Sequence, residues 1–270
     1  LAHYIYVYGL VPAEEVACAP VSVFAGIEPQ QVTYTIEAAG IVACVCRVDA
    51  TDFSPGEIER KMHNPLWLEQ KALHHHDTIS LIHQSFTVIP MSFCTLFSQE
   101  EALTELLHVQ AGKLHERFAS LKGMQEWNIK VYHDSKTCES TIETSHPEVL
   151  RLRQEIDSMP VGKQFLMKKR LAQLISQAAE DEKEKSLQVI HQRLQEHSQK
   201  ALMRQNWGKE LTGRSDEMIA NFDYLVPSHQ VAVFIEEVDR QAESRGRGLT
   251  IEATGPWPPY HFATLHKEDL

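Results

Sequence analysis

Three consecutive histidines, His74-His75-His76, with His83 further on, are the densest group of metal-ligating side chains in the chain. Histidines four apart on a helix can share an ion, but neighbours in sequence point about 100° apart. Only a pair such as His76 and His83, seven apart, falls on one helical face. No carboxylate or cysteine at ligand spacing joins them, so the cluster reads as core or surface histidine and no metal is expected. A thiol enzyme would need a cysteine activated by a nearby histidine. Cys94, beside the Pro90 turn, is the best placed, although a small buried thiol is the plainer reading. Cys44 and Cys46 share one face of an apolar strand and fill core. The His74–His76 cluster and Cys94 therefore make up the one enzymatic alternative, a cytosolic metal- or thiol-dependent enzyme.

Other reactive patterns are missing. There is no GxxxxGK[ST], no GxGxxG and no GxSxG. Gly246-Arg247-Gly248, preceded by Arg245, is the nearest thing to an anion-binding turn, but no helix follows it. The many carboxylates fall mostly on helix faces expected to be solvated. These residues give no positive reason for an enzyme, and no cofactor is expected.

Surface residues are more promising. Gly255-Pro256-Trp257-Pro258-Pro259-Tyr260-His261-Phe262 sets two aromatic rings among three prolines. Proline fixes φ and donates no ladder hydrogen bond, so this stretch is neither helix nor central strand. It reads either as a plug folded back on its own sheet or as a recognition surface with Trp257 and Tyr260 as anchors. Lys168-Lys169-Arg170, ahead of the mixed-charge run 180–185, is a second contact candidate, or else a solvated helix face.

The elements that must position these residues follow from periodicity. Tyr4–Leu10 and Ile41–Val48 are apolar on both faces and suit central strands. Between them Val32, Tyr34 and Ile36 alternate with polar residues. Ser54-Pro55-Gly56-Glu57 and Asn64-Pro65 each open a helix. The second helix carries the stripe Leu68, Ala72, His75, Ile79, Ile82. A short strand is expected at Phe86–Pro90, a capped helix from Ser98 to Lys122-Gly123, a strand at Trp127–His133 and a loop over 134–147. A long helical region covers about 161–206. Its apolar stripe changes face near 180–185, which predicts a bend or two different packing partners. A strand at 218–226, a helix after Pro227-Ser228 and a strand at 249–254 complete the chain. The expected fold class is α+β: two mixed domains, 1–122 and 123–270, with helices on one face of each sheet.

The 270 residues are 43% hydrophobic and 23% charged, enough apolar mass for a core without disulfide or metal staples. A net charge of −11 argues against nucleic acid and anionic lipid as partners. No apolar run approaches the roughly 20 residues of a membrane span, and no secretory leader is visible. Five scattered cysteines without CxxC spacing read as reduced cytosolic thiols.

Several motifs, in order, carry a resemblance. They are Tyr4-Ile5-Tyr6-Val7-Tyr8-Gly9-Leu10-Val11-Pro12, Trp67-Leu68 followed by the histidines 74–76, Val88-Ile89-Pro90-Met91-Ser92-Phe93-Cys94-Thr95-Leu96-Phe97, Glu126–Val131 and the proline-rich tail. The set resembles the gas vesicle accessory proteins of the GvpF/GvpL family over nearly the whole chain. Cys94 stands where many members have glycine, which puts any need for a positive φ there in doubt. The resemblance implies ferredoxin-like domain variants and a non-catalytic role in gas vesicle assembly. Its implied partners are the hydrophobic shell protein and other gas vesicle accessory proteins. Its implied location is the gas vesicle, with a cytoplasmic stage during assembly.

Overall fold

A computed structural model describes residues 3–244 and 248–263. The contacts divide the chain into two compact units, Leu1–Glu126 with Pro256–Leu270, and Trp127–Gly255.

In the first unit β1 (His3–Pro12) is central, as its unbroken apolar run requires. The short helix α1 (Ala13–Cys18) follows. Strands β2 (Tyr34–Ala38) and β3 (Ile41–Asp49) form a hairpin beside β1. Its two-residue turn holds Ala39 at φ 51° and Gly40 at φ 75°, the positive angles that match hairpin twist. After α2 (Pro55–Met62) comes α3 (Pro65–His83), which bears the histidines. The Asn64 side chain caps α3 by accepting from the amides of Leu66 and Trp67, and Pro65 supplies the first turn. Expected strand 86–90 shrinks to β4 (Ile89–Pro90), and β5 (Leu96–Phe97) follows it. Both pair antiparallel with β1, so Val88–Phe97 runs beside one strand as two short pieces joined by a loop.

The register between β1 and β3 shifts between Val7 and Gly9, leaving Tyr8 as an extra residue. This bulge lets Tyr6, Tyr8 and then Val11 join one core with Cys44, Cys46, Ile79 and Ile82. Tyr34 pairs with Val45 and so points to the other face. There its hydroxyl donates to Glu100 at the start of α4 (Glu100–Leu121). Helices thus cover both faces of this sheet, not the one face expected from the sequence, because its central strands are apolar on both sides. The expected capping residue of α4 is one place off: Gln99 precedes the helix and makes no side-chain cap bond.

The second unit is built on the sheet β7-β8-β6-β9, made from β6 (Met124–His133), β7 (Lys200–Met203), β8 (Glu217–Pro227) and β9 (Leu249–Trp257). Its helices are α5 (Ser135–Ser145), α6 (Pro147–Asp157), α7 (Val161–Gln195), α8 (Lys209–Thr212) and α9 (Val231–Ser244), the last entered through a 3-10 turn, Ser228–Gln230. Helix α7 does not bend into a second helix. Its first half packs Ile175, Ala178 and Ala179 with Ile142 and Val149 of α5 and α6. Its second half packs Ile190 and Leu194 on Ile129, Phe222, Tyr224 and Phe234. The change of apolar face near 180–185 therefore marks two packing partners.

Three expectations are corrected here. Residues 135–145 are helical rather than loop, since Asp134 accepts from the amides of Lys136 and Thr137 and starts a helix. The helical region stops at Gln195, and Lys200–Met203 pairs with β8 instead. The tail from Pro256 groups with the first unit, held there by side-chain bonds described below, whereas the sequence reading placed it with 123–270. The class itself is α+β, with two antiparallel sheets and helices.

Ala39 occupies the left-handed region at a cost of about 1–2 kcal/mol for a residue with Cβ, a cost asparagine bears more easily. Ala39→Asn, which creates an Asn-Gly turn, is expected to raise stability by about 0.5–1 kcal/mol in urea unfolding. An unchanged or lower midpoint would contradict this account of the turn.

Candidate functional site

The three histidines leave α3 in three directions, and each meets a different tyrosine. His75 is buried, with Nε2 3.0 Å from the Met91 carbonyl oxygen and Nδ1 2.8 Å from the Tyr6 hydroxyl. A carbonyl can only accept, so Nε2 carries the proton and Nδ1 accepts from Tyr6. Burial holds the His75 imidazole down at about 4, which keeps it neutral. Burial likewise pushes the Tyr6 and Tyr8 phenols up. His74 Nε2 lies 3.2 Å from the Tyr8 hydroxyl, and burial, then nearby Lys71, lowers its pKa. His76 Nδ1 lies 2.8 Å from the Tyr260 hydroxyl and its Nε2 3.5 Å from Ser80 Oγ. Five of the six ring nitrogens meet separate partners inside the unit and converge on no common point. His83, the other sequence candidate, is half-buried, and burial lowers its pKa.

Cys94 sits at φ 62°, the conformation that suits glycine. The positive φ is therefore retained although the side chain is not glycine. Its amide lies 3.5 Å from the Tyr6 hydroxyl, next to the His75–Met91 bond. Burial pushes its thiol up to about 11, so at neutral pH it is protonated and a poor nucleophile. Cys44 is buried and pushed up to about 12 for the same reason. His75 is thus buried in the core, and Cys94 packs partly buried against it. Arg245, Gly246 and Arg247, the anion-turn candidates, lie outside the described residues.

The proline-rich tail is bolted to the first unit. Pro258 and Pro259 are buried, and Tyr260 gives its hydroxyl to the bond with His76. The next residue, His261, donates from its amide to Glu126 Oε2 at 3.0 Å and from Nδ1 to Oε1 at 2.6 Å. The Glu126 side chain is almost wholly buried. The Phe262 carbonyl accepts from Arg117 Nη1 at 3.0 Å, and Phe262 and Ala263 are buried. Trp257 keeps 36% of its surface in solvent, with its ring 5.5 Å from that of His76. Of the two aromatic candidates, Tyr260 is therefore an internal latch and Trp257 the ring that solvent reaches.

Lys168, Lys169 and Arg170 belong to the second unit and are exposed on α7. Sequence reasoning passed over their neighbours Val161, Phe165 and Leu166, which are exposed as well. The signal for them was available: apolar residues one turn apart, on a stretch whose core stripe begins only at Leu171. Glu126 and Arg117 were also missed as the tail's partners, because bonds across more than a hundred residues leave no periodic trace.

The chain is thus two α+β units with antiparallel sheets, the first of them holding the clamped tail. A family described as "Gas vesicle synthesis protein GvpL/GvpF" matches residues 4–264, and the chain belongs to that family. It is 25% identical over 206 residues to gas vesicle protein L of Haloferax mediterranei, spanning 74% of this chain and 63% of that protein. It is 30% identical over 182 residues to gas vesicle protein F of Microcystis aeruginosa, spanning 66% of this chain and 70% of the relative. The crystal structure of GvpF from Anabaena sp. shares the fold, with a TM-score of 0.69 at 20% identity, covering 97% of this chain and 98% of that one. The family supports an accessory role in the gas vesicle, structural or assisting rather than enzymatic. No helix among the described residues is long and apolar enough to cross a membrane.

Two predictions follow from this geometry. The His75 pKa is lower folded than unfolded, so the unfolded chain takes up the proton first as pH falls. This contribution is intact above pH ~6.5 and is lost down to about 4, amounting to about 3 kcal/mol. Denaturant unfolding across that range should show the loss in the native protein and a shallower slope in His75→Gln; equal slopes would refute the assignment. Separately, Glu126→Ala removes the acceptor for both His261 bonds, so hydrogen exchange at the His261 amide should accelerate at least about tenfold, equivalent to ~1.4 kcal/mol. Unchanged protection would mean that the carboxylate does not hold the tail.

Proposed function

We propose that this chain is a non-catalytic assembly factor that binds the hydrophobic shell protein of the gas vesicle, keeps it from aggregating and assists nucleation. The observation that carries the reading is the family match along residues 4–264, in a chain whose three histidines each bond a tyrosine and whose Cys94 thiol is held protonated by burial. A very apolar subunit must be shielded until it joins a growing wall. A partner with a net charge of −11 would hold the complex in solution while its own apolar side chains covered the client. In this reading the protein works in the cytoplasm during assembly and ends with the vesicle, and other accessory proteins of the vesicle join the same complex.

Trp257 is the contact residue proposed on the first unit, with Tyr260 fixing the segment that carries it through the His76 bond. Lys168, Lys169 and Arg170 are those proposed on the second. Buried tryptophan and arginine anchors commonly dominate such contacts. The test is co-purification of the full chain with the shell protein, paired with vesicle yield in cells lacking this chain. Trp257→Ala should weaken retention by about tenfold or more, in keeping with a hot-spot loss above ~1.4 kcal/mol. Absence of any association, or normal vesicle yield after deletion, would remove the reading.

A further inference from the structure

We propose that the N-terminal third of α7 is a docking ridge for a partner helix whose apolar face is edged by carboxylates. This rests on the reading that the protein works by binding another vesicle component, and it names a surface and a chemistry for that contact. Val161, Phe165, Lys168 and Lys169 follow one another at i, i+4, i+7 and i+8 and share a face, with Leu166 about 100° and Arg170 about 140° round from Phe165. Val161, Phe165 and Leu166 are 82%, 80% and 71% exposed. Single exposed apolar residues are ordinary, but three large ones within two helical turns form a patch. The residues that pack with α5 and α6, Leu171, Leu174, Ile175, Ala178 and Ala179, lie roughly 40–180° around the axis from Phe165 at 100° per residue, one to four turns further along the helix. The ridge is the exposed N-terminal run of the helix, ahead of the turns that pack in that small core.

Charge identifies the occupant. Residues 158–179 contain Lys163, Lys168, Lys169 and Arg170 and no Asp or Glu, in a chain of net charge −11. An acidic partner is repelled by the chain as a whole and attracted here, which steers it to this face. A second copy offering the same ridge would set lysine against lysine. An anionic lipid surface would meet the same overall repulsion without a helix to match the apolar row.

The test uses the full chain and two synthetic amphipathic peptides with the same leucine face, one edged with Glu and one with Lys, titrated by fluorescence anisotropy. The Glu-edged peptide should bind, and the Lys-edged peptide should not. Phe165→Gln with Leu166→Gln should weaken binding at least about tenfold without lowering Tm, because neither side chain is buried. Lys168→Glu, Lys169→Glu and Arg170→Glu together should transfer binding to the Lys-edged peptide. Equal binding of both peptides, or binding unaffected by these variants, would overturn the proposal. So would a wild-type dimer that the Gln variant dissociates, or phosphatidylserine vesicles bound in place of either peptide. Co-purification with the shell protein separates the two readings. If wild type and the Gln variant retain it equally, the ridge is wrong and the function stands. If wild type binds the Glu-edged peptide but not the shell protein, the ridge stands and the function falls.

Discussion

A neutral imidazole holds the first unit together. His75 joins α3 to the central strand through Tyr6 and to the loop after β4 through the Met91 carbonyl. One uncharged ring thus satisfies a donor and an acceptor in the core, where either left alone would cost about 1–3 kcal/mol. Tyr6 and Tyr8, two apart on β1, share the α3 side, and the bulge at Tyr8 shifts the alternation so that Val11 joins them. The amide of Cys94 closes on the same hydroxyl, so the left-handed turn at that residue belongs to the same arrangement. His74 and His76 repeat the pattern with Tyr8 and Tyr260. A histidine run that looks like a metal site is here a row of positioning bonds, and the third member extends it to the tail.

The tail shows how the same side chains can be both fixed and available. A proline-rich segment presented in solvent would have to be ordered on binding, at about 1–2 kcal/mol per residue for the backbone. Here that ordering is already complete: Glu126 takes both His261 donors and Arg117 takes the Phe262 carbonyl. Pro258 and Pro259 add fixed φ angles. Tyr260 is consumed in this anchoring, which leaves Trp257 rigidly presented with its indole partly in water. A preorganised aromatic ring binds a partner with less entropic loss than a mobile one.

Much of this was legible in the sequence where the signal was local. The central strands, the Asn64-Pro65 helix start and the split stripe of α7 all follow from patterns within one or two turns of chain, and each is found. The misses have a common cause. Helix α5 has few apolar residues to reveal its period, and only Asp134 marks its start. Strand β7 is four residues at a sheet edge and owes its form to β8, not to its own composition. The bonds that decide between plug and anchor for Tyr260 join residues 184 apart, beyond any periodic reading. Candidate residues were therefore easier to name than their roles.

Helix α7 carries the physical division of labour furthest. Its second half is buried against β6, β8 and α9, and its middle against α5 and α6. A helix pinned along those two stretches can extend a few more turns without further packing, since propagation adds one hydrogen bond per residue fixed. Val161–Arg170 is that extension, and its apolar side chains gain nothing for the isolated unit by standing in water. Solubility alone would favour polar residues at Phe165 and Leu166, and folding alone does not require apolar ones there. A surface that serves neither solubility nor folding has its physical rationale in what covers it, and the run 158–179, with four basic residues and no Asp or Glu, gives this one a positive edge.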